Sequence, residues 1–184
     1  MTVENNRKEE NAMKWSKKDI PHKGWECLDV IDLKESSDFS GDIEYEQCEM
    51  CDNEKIRYIH VMKHPEYPKI LHVGRVCAEK MSDDYENPRK IERELKNKSI
   101  RRCNFNRVQW NFNKSKNSFY KKYKGQNITI VQSKYGNWGI FFEGNRIWEY
   151  EKQKILTFKF AEKVAFEIFE QYHTTKEERQ NNWY

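Results

Sequence analysis

Three cysteines in this chain stand where they could share one metal ion. Cys48 and Cys51 form a Cys-x-x-Cys pair, a spacing that lets one tight turn aim both sulfurs at a single point. Cys77 follows Val73-Gly74-Arg75-Val76 at a bend into a helix, where the positive helix N-terminus favours a thiolate. Zinc takes four ligands in a tetrahedron, with Zn–S distances of about 2.3 Å, so a fourth donor is required. His60, His64, His72 and Cys27 are available. His60 ranks first, because its strand and the knuckle are expected to form one hairpin arm. The zinc proteases carry paired histidines on a helix with a glutamate between them. The stretch His60-Val61-Met62-Lys63-His64 lacks that glutamate and favours a strand, so the expected site is structural rather than catalytic. A redox pair or unligated thiols are the rival readings of Cys48 and Cys51, and the third cysteine on a separate element favours metal.

The other residues that could do chemistry are basic. From Pro88 to Lys124 the chain carries thirteen bases against two acids, Glu92 and Glu94. Aromatic rings are interleaved with them: Phe105, Trp110, Phe112, Phe119, Tyr120 and Tyr123. Bases neutralise phosphates and release counterions, and rings stack on exposed nucleobases. The contacts expected for DNA or RNA are Arg101, Arg102, Arg107, Trp110, Lys114, Lys116, Lys121 and Lys122. For the individual rings a place in the core is the stronger expectation, since a sheet must bury one face. Upstream the sign reverses: Trp25 to Glu54 holds eleven acids and one base, Lys34. That acidic face could dock a protein partner, or it could rest on the basic stretch of its own or a neighbouring chain.

The bulk numbers bound these readings. Of 184 residues, 36% are apolar and 35% charged, against a usual apolar share of about 45–50%. Two small cores suit that shortage better than one large core, and a metal would help the smaller. No stretch approaches the roughly 20 apolar residues of a membrane span, and Met1 to Asn11 lacks the apolar centre of a secretory signal. A cytoplasmic protein with no membrane partner is expected. Five cysteines, an odd number, fit metal ligation or free thiols there better than disulfides. No Gly-rich phosphate loop is present, and no acid–histidine constellation is legible outside the knuckle, so an enzyme is the less favoured class.

The elements that must position these groups form an α+β chain of two modules. A flexible lead-in, 1–24, precedes a small zinc-supported β module at 25–84, treble-clef-like in its order of knuckle, hairpin and ligand-bearing helix. Strands are predicted at Trp25–Leu33, Ile56–Met62 and Lys69–Val73, with a turn-rich loop from Lys34 to Gly41 and a short helix from Cys77 to Met81. The second module, 86–173, reads as helix, three or four antiparallel strands, helix. Asn87-Pro88 starts its first helix, expected to run to about Asn111 with Ile91, Leu95 and Arg102 or Cys103 on the inner face. Strands follow at Phe119–Tyr123, Ile128–Gln132, Trp138–Glu143 and Arg146–Glu149, with turns at Gly136-Asn137 and Gly144-Asn145. Thr157 caps a last helix whose Ala161, Val164, Ala165, Ile168, Phe169 and Tyr172 share one face. A polar tail, 174–184, is expected to fray.

Two resemblances carry these residues further. Gly24-Trp25-Glu26-Cys27, Cys48-Glu49-Met50-Cys51, Ile56 through His64-Pro65, and Val73-Gly74-Arg75-Val76-Cys77-Ala78 resemble a family of uncharacterised bacterial and phage zinc-knuckle proteins. In that pattern a second cysteine often stands where this chain has Arg75. The resemblance implies zinc and brings no activity with it. The second module resembles the double-stranded-RNA-binding domain and the sheet-plus-helix unit at the N-termini of some phage integrases. The function expected from all of this is a non-catalytic, zinc-containing nucleic-acid-binding protein. The alternative is a protein-interaction adaptor or inhibitor of phage type that docks through its acidic module.

Overall fold

The computed structural model describes residues 14–36, 45–52 and 55–181. The start of the expected lead-in, most of the loop ending at Gly41, and the last three residues of the tail lie outside these. So do Asp38, Asp42, Glu44 and Glu54 of the acidic run. The chain divides into two units, one reaching to Ser99 and the other starting at Ile100. Among the described residues the fold is mixed helix and antiparallel sheet.

In the first unit β1 (Glu26–Asp32), β2 (Tyr58–His64) and β3 (Tyr67–Val73) form an antiparallel sheet in the order β1-β2-β3. A short helix, α1 (Leu33–Ser36), follows β1. After β3 come α2 (Arg75–Ser82) and the first part of α3 (Asn87–Arg107). Trp25, Met50, Met62, Leu71, Val73, Ala78 and Met81 pack into one core together with Cys48 and Cys77. Each such side chain contributes roughly 1.5–3 kcal/mol. The knuckle is therefore part of the core rather than an appendage. From Lys14 on, the stretch expected as a lead-in packs here too: Ile20 is buried, and Trp15 lies against the cluster. Trp25 donates its indole N–H to the Pro21 carbonyl at 2.7 Å.

The start of α3 is capped from outside it. Asp84 accepts from the backbone N–H groups of Glu86 and Asn87, each at 3.0 Å, and from the Asn87 amide. Asn87 is thus the first helical residue, and its own side chain is held by the cap. The helix stops at Arg107, short of the expected Asn111. Phe105, not Arg102 or Cys103, supplies the buried anchor of its last turns.

In the second unit β4 (Asn111–Asn113), β5 (Ser118–Tyr123), β6 (Gln126–Gln132), β7 (Trp138–Phe142) and β8 (Asn145–Ile147) form a five-stranded antiparallel sheet in sequence order. A two-residue ladder, β9 (Glu149–Tyr150) with β10 (Gln153–Lys154), leads to α4 (Phe158–Asn181). Lys124-Gly125 and Glu143-Gly144 join their strands with positive φ at both residues (46° and 83°, 47° and 78°). That is the type I′ requirement, and it matches the twist of the flanking strands. The second of these turns therefore sits one residue before the predicted Gly144-Asn145, because Asn145 pairs with Phe142. Thr157 caps α4 as expected, its hydroxyl accepting the Phe160 N–H at 3.1 Å. The helix continues through Asn181, well into the stretch expected to fray.

One sheet face meets α4. Ile128, Ile130, Ile140 and Phe142 pack there with Phe105, Val164, Phe166 and Phe169. Strict alternation turns Tyr120, Lys122, Asn127, Thr129 and Phe141 to the opposite face.

Candidate metal centre and nucleic-acid interface

The knuckle carries its two cysteines on a turn whose last residue, Asp52, has φ 57°, and Asp52 N–H donates to the Cys48 carbonyl at 2.8 Å. Cys77 stands in the first turn of α2, its N–H donating to Gly74 O at 3.0 Å. The three sulfurs lie within 4.8 Å of one another. Tetrahedral zinc with Zn–S of about 2.3 Å spaces its sulfurs by about 3.8 Å, so a small closure would seat an ion. Cys48 and Cys77 are buried, whereas Cys51 is exposed.

The backbone prepares the site for negative sulfur. Cys48 shares a hydrogen bond with Cys77, and the amides of Gly74, Cys51 and Met50 point at its sulfur. Together these hold its thiol well below the usual range. Cys77 is pushed the other way, first by its bond to Cys48 and then by burial, so it keeps the shared proton. Gly74 is needed for this approach: its N–H reaches Cys48 Sγ at 3.4 Å, and a Cβ there would sit 2.8 Å from Ile56 Cγ2. The donor set of three soft thiolates with N–H···S bonds fits a thiophilic ion such as zinc.

His60, ranked first as fourth ligand, does not join the three cysteines in this structure. Among the described residues only the three cysteines cluster. His60 is fully buried on β2, and both its nitrogens are engaged elsewhere: Nε2 lies 3.2 Å from Glu92 Oε1 and Nδ1 3.9 Å from Cys27 Sγ. His64 accepts the Glu66 N–H and stacks on Trp25, while His72 pairs with Glu46 at 3.5 Å. Beside the thiols a cavity of about 280 Å³ opens between Cys51, Arg57, Arg75 and Glu92. Arg75 turns to Glu79 and Glu92, at 3.4 and 3.3 Å.

Of the eight expected nucleic-acid contacts, four change role. Arg101 forks onto Glu170 with N–O distances of 2.7 to 3.0 Å, and Arg102 pairs with Glu167 while its guanidinium lies over the Phe166 ring. These two clamp α3 to α4. Lys121 is only 1% exposed: Nζ donates to the Phe105 carbonyl at 2.9 Å, over the rings of Phe105 and Trp110. Trp110 belongs to that cage, with Lys121 Nζ over its ring, and packs at a steep angle to Phe105 and Phe158. Alternation explains Lys121, whose strand neighbours Phe119 and Tyr123 share its inward face. Arg107, Lys114, Lys116 and Lys122 are exposed.

A surface that the sequence reading missed lies on the open sheet face. Tyr120, Thr129, Phe141 and Arg146 form one cross-strand row, with Lys122 one step along β5. Arg146 lies over the Phe141 ring at 5.5 Å. Trp148 closes the next row by packing on Gly139, where a Cβ would come within 2.6 Å of its ring. The two-residue period of β5 to β7 was the available signal. Comparison with protein-family models, with curated proteins and with solved structures finds no match to this chain. No helix among the described residues is long and apolar enough to cross a membrane.

Proposed function

We propose that this is a zinc-containing protein whose second unit binds single-stranded nucleic acid on the open face of its five-stranded sheet. The observation that carries the reading is the row Tyr120–Thr129–Phe141–Arg146 with Lys122 beside it, half-exposed rings and cations on the sheet face opposite the one that packs on α4. Bases stacked on such rings gain roughly 1–3 kcal/mol each, and the cations track phosphates. Arg101 and Arg102 are paired with Glu170 and Glu167, which favours the sheet over these two helix positions as the contact surface. Lys114 and Lys116, on the β4–β5 turn, extend the basic edge. In the first unit, the order of knuckle, β2–β3 hairpin and Cys77 at a helix start supports a treble-clef-type structural zinc site.

The test is salt-titrated binding of the purified protein to short single- and double-stranded DNA and RNA. Single strands should bind, with log affinity falling linearly in log salt by about 0.7 for each phosphate contact. Tyr120→Ala should weaken binding roughly 5- to 160-fold, and Arg102→Gln should leave the salt slope unchanged. Absence of binding at low salt would overturn the reading and turn attention to a protein partner for the acidic face.

A further inference from the structure

We propose that Cys27, His60 and Glu92 form a nucleophilic thiol site in the first unit, one that takes up an acyl group from an ester or thioester. The three stand in line: Cys27 Sγ is 3.9 Å from His60 Nδ1, and His60 Nε2 is 3.2 Å from Glu92 Oε1. A carboxylate at Nε2 favours the tautomer that carries its proton on that nitrogen, which leaves the Nδ1 lone pair facing the sulfur. Glu92 is itself held by an ion pair, its other oxygen lying 3.3 Å from Arg75 Nε. The ring is wholly buried and cannot swing to water. This is the arrangement of nucleophile, base and orienting acid that defines activated thiols and hydroxyls on unrelated folds.

The surroundings suit a substrate. The β1–β2 register shifts between Cys27 and Asp29, leaving Leu28 without a partner, and such bulges re-aim side chains next to functional sites. The half-buried Cys27 lines a cavity of about 690 Å³ together with Trp25, Leu28, Ile91 and Leu95. That volume lies within the range of small-molecule sites, about 300–1,000 Å³. Asp29 and Asp84 also line it, so it should accept an uncharged or cationic acyl chain and reject an anionic one. Salt-bridged surface histidines need neither a bulge nor a cavity.

Burial holds the resting Cys27 thiol above its ordinary range, and Sγ also donates to the Asp29 carbonyl at 3.4 Å. The proton must therefore leave during attack. Nδ1 takes it as the sulfur bonds to the carbonyl carbon. The bond from that carbon to the leaving oxygen or sulfur breaks, and Nδ1–H returns the proton to the leaving group. The products are a Cys27 thioester and a free alcohol or thiol, with no change of oxidation state.

The experiment incubates zinc-loaded protein with p-nitrophenyl butyrate and follows butyrylation of each cysteine by peptide mass mapping. Cys103, exposed on α3, is the internal reference. A merely half-buried Cys27 would react more slowly than Cys103. The proposed site should make it react about a hundredfold faster, the scale of general-base catalysis. His60→Gln and Glu92→Gln should each slow Cys27 and leave Cys103 unchanged. Glu92 is the more exposed of the two, so its variant decides the matter if His60→Gln fails to fold. Cys27 reacting no faster than Cys103, or equally fast in Glu92→Gln, would overturn the proposal.

Discussion

Lys121→Met should lower the stability of the second unit by about 2 kcal/mol at pH 7, although it removes a buried charge. Lys121 is 1% exposed, and burial, opposed in part by the Glu162 carboxylate, pulls its ammonium from the ordinary 10.5 down to about 8. That gap corresponds to about 3 kcal/mol, at about 1.4 kcal/mol for each factor of ten. Against it stand two aromatic faces, with Nζ 3.5 Å from the Phe105 centroid and 4.3 Å from that of Trp110. Each is worth about 2 kcal/mol when desolvated. The charged hydrogen bond to the Phe105 carbonyl adds roughly 1.5–3 kcal/mol. These contacts share one ammonium and do not add fully, which leaves a net of about 2 kcal/mol for the cation. In a unit of this size that is a shift of roughly 8–16 °C in melting temperature. Sign and pH dependence separate the rival outcomes. Were burial in control, the cost would be complete below pH 8, fade as pH rises to 10.5 and vanish above, because the unfolded chain would hold the extra proton. Wild type would then gain on the Met variant across that window. The cage predicts instead a difference that stays level from pH 7 to 9.5. Denaturant unfolding of both proteins at several pH values measures it, and a Met variant more stable than wild type at pH 7 would refute the reasoning.

Cys48→Ser should abolish stoichiometric zinc by elemental analysis. It should also remove the stabilisation that excess zinc gives the first unit, about 2.7 kcal/mol at a hundred times the dissociation constant. Glu79→Gln should flatten the acid limb of the stability curve. The Glu79 carboxyl is held low by the Arg89 guanidinium, so its contribution is present above about pH 4.3 and lost as pH falls through the lower folded value. Acid titration followed by circular dichroism reads this directly. Gly139→Ala should cost about 1–3 kcal/mol, since the new methyl would meet the Trp148 ring at 2.6 Å. Thermal unfolding gives the value, and indole fluorescence should report the displaced ring.

Local signals were legible and partners distant in sequence were not. The apolar alternation of β2 and β6, the proline-marked start of α3 and the stripe of α4 all state their element within a few residues. The thiols of Cys48 and Cys51 announce themselves because a knuckle is itself a local structure, and Cys77 is marked by its place just inside a helix start. β4 was invisible, because Asn111-Phe112-Asn113 has no strand character until β5 pairs with it. The roles of Arg101 and Arg102 depend on acids 69 and 65 residues away, and a local count of charge cannot reveal them. His60 misled for the same reason: Glu92, which engages it, lies on another element.

Lys121 and Lys122 are the same letter twice, one caged by rings and the other in water. Only the pleat separates them, and the tight Lys124-Gly125 turn locks that pleat in place. The unit should therefore accept nearly any exchange at position 122 yet be ruined by a single inserted residue in that turn. A slip by one would exchange the interior and exterior of β5, thrusting Tyr120 and Lys122 inward and Phe119 and Tyr123 into solvent. Length in these hairpins is therefore under stricter constraint than spelling.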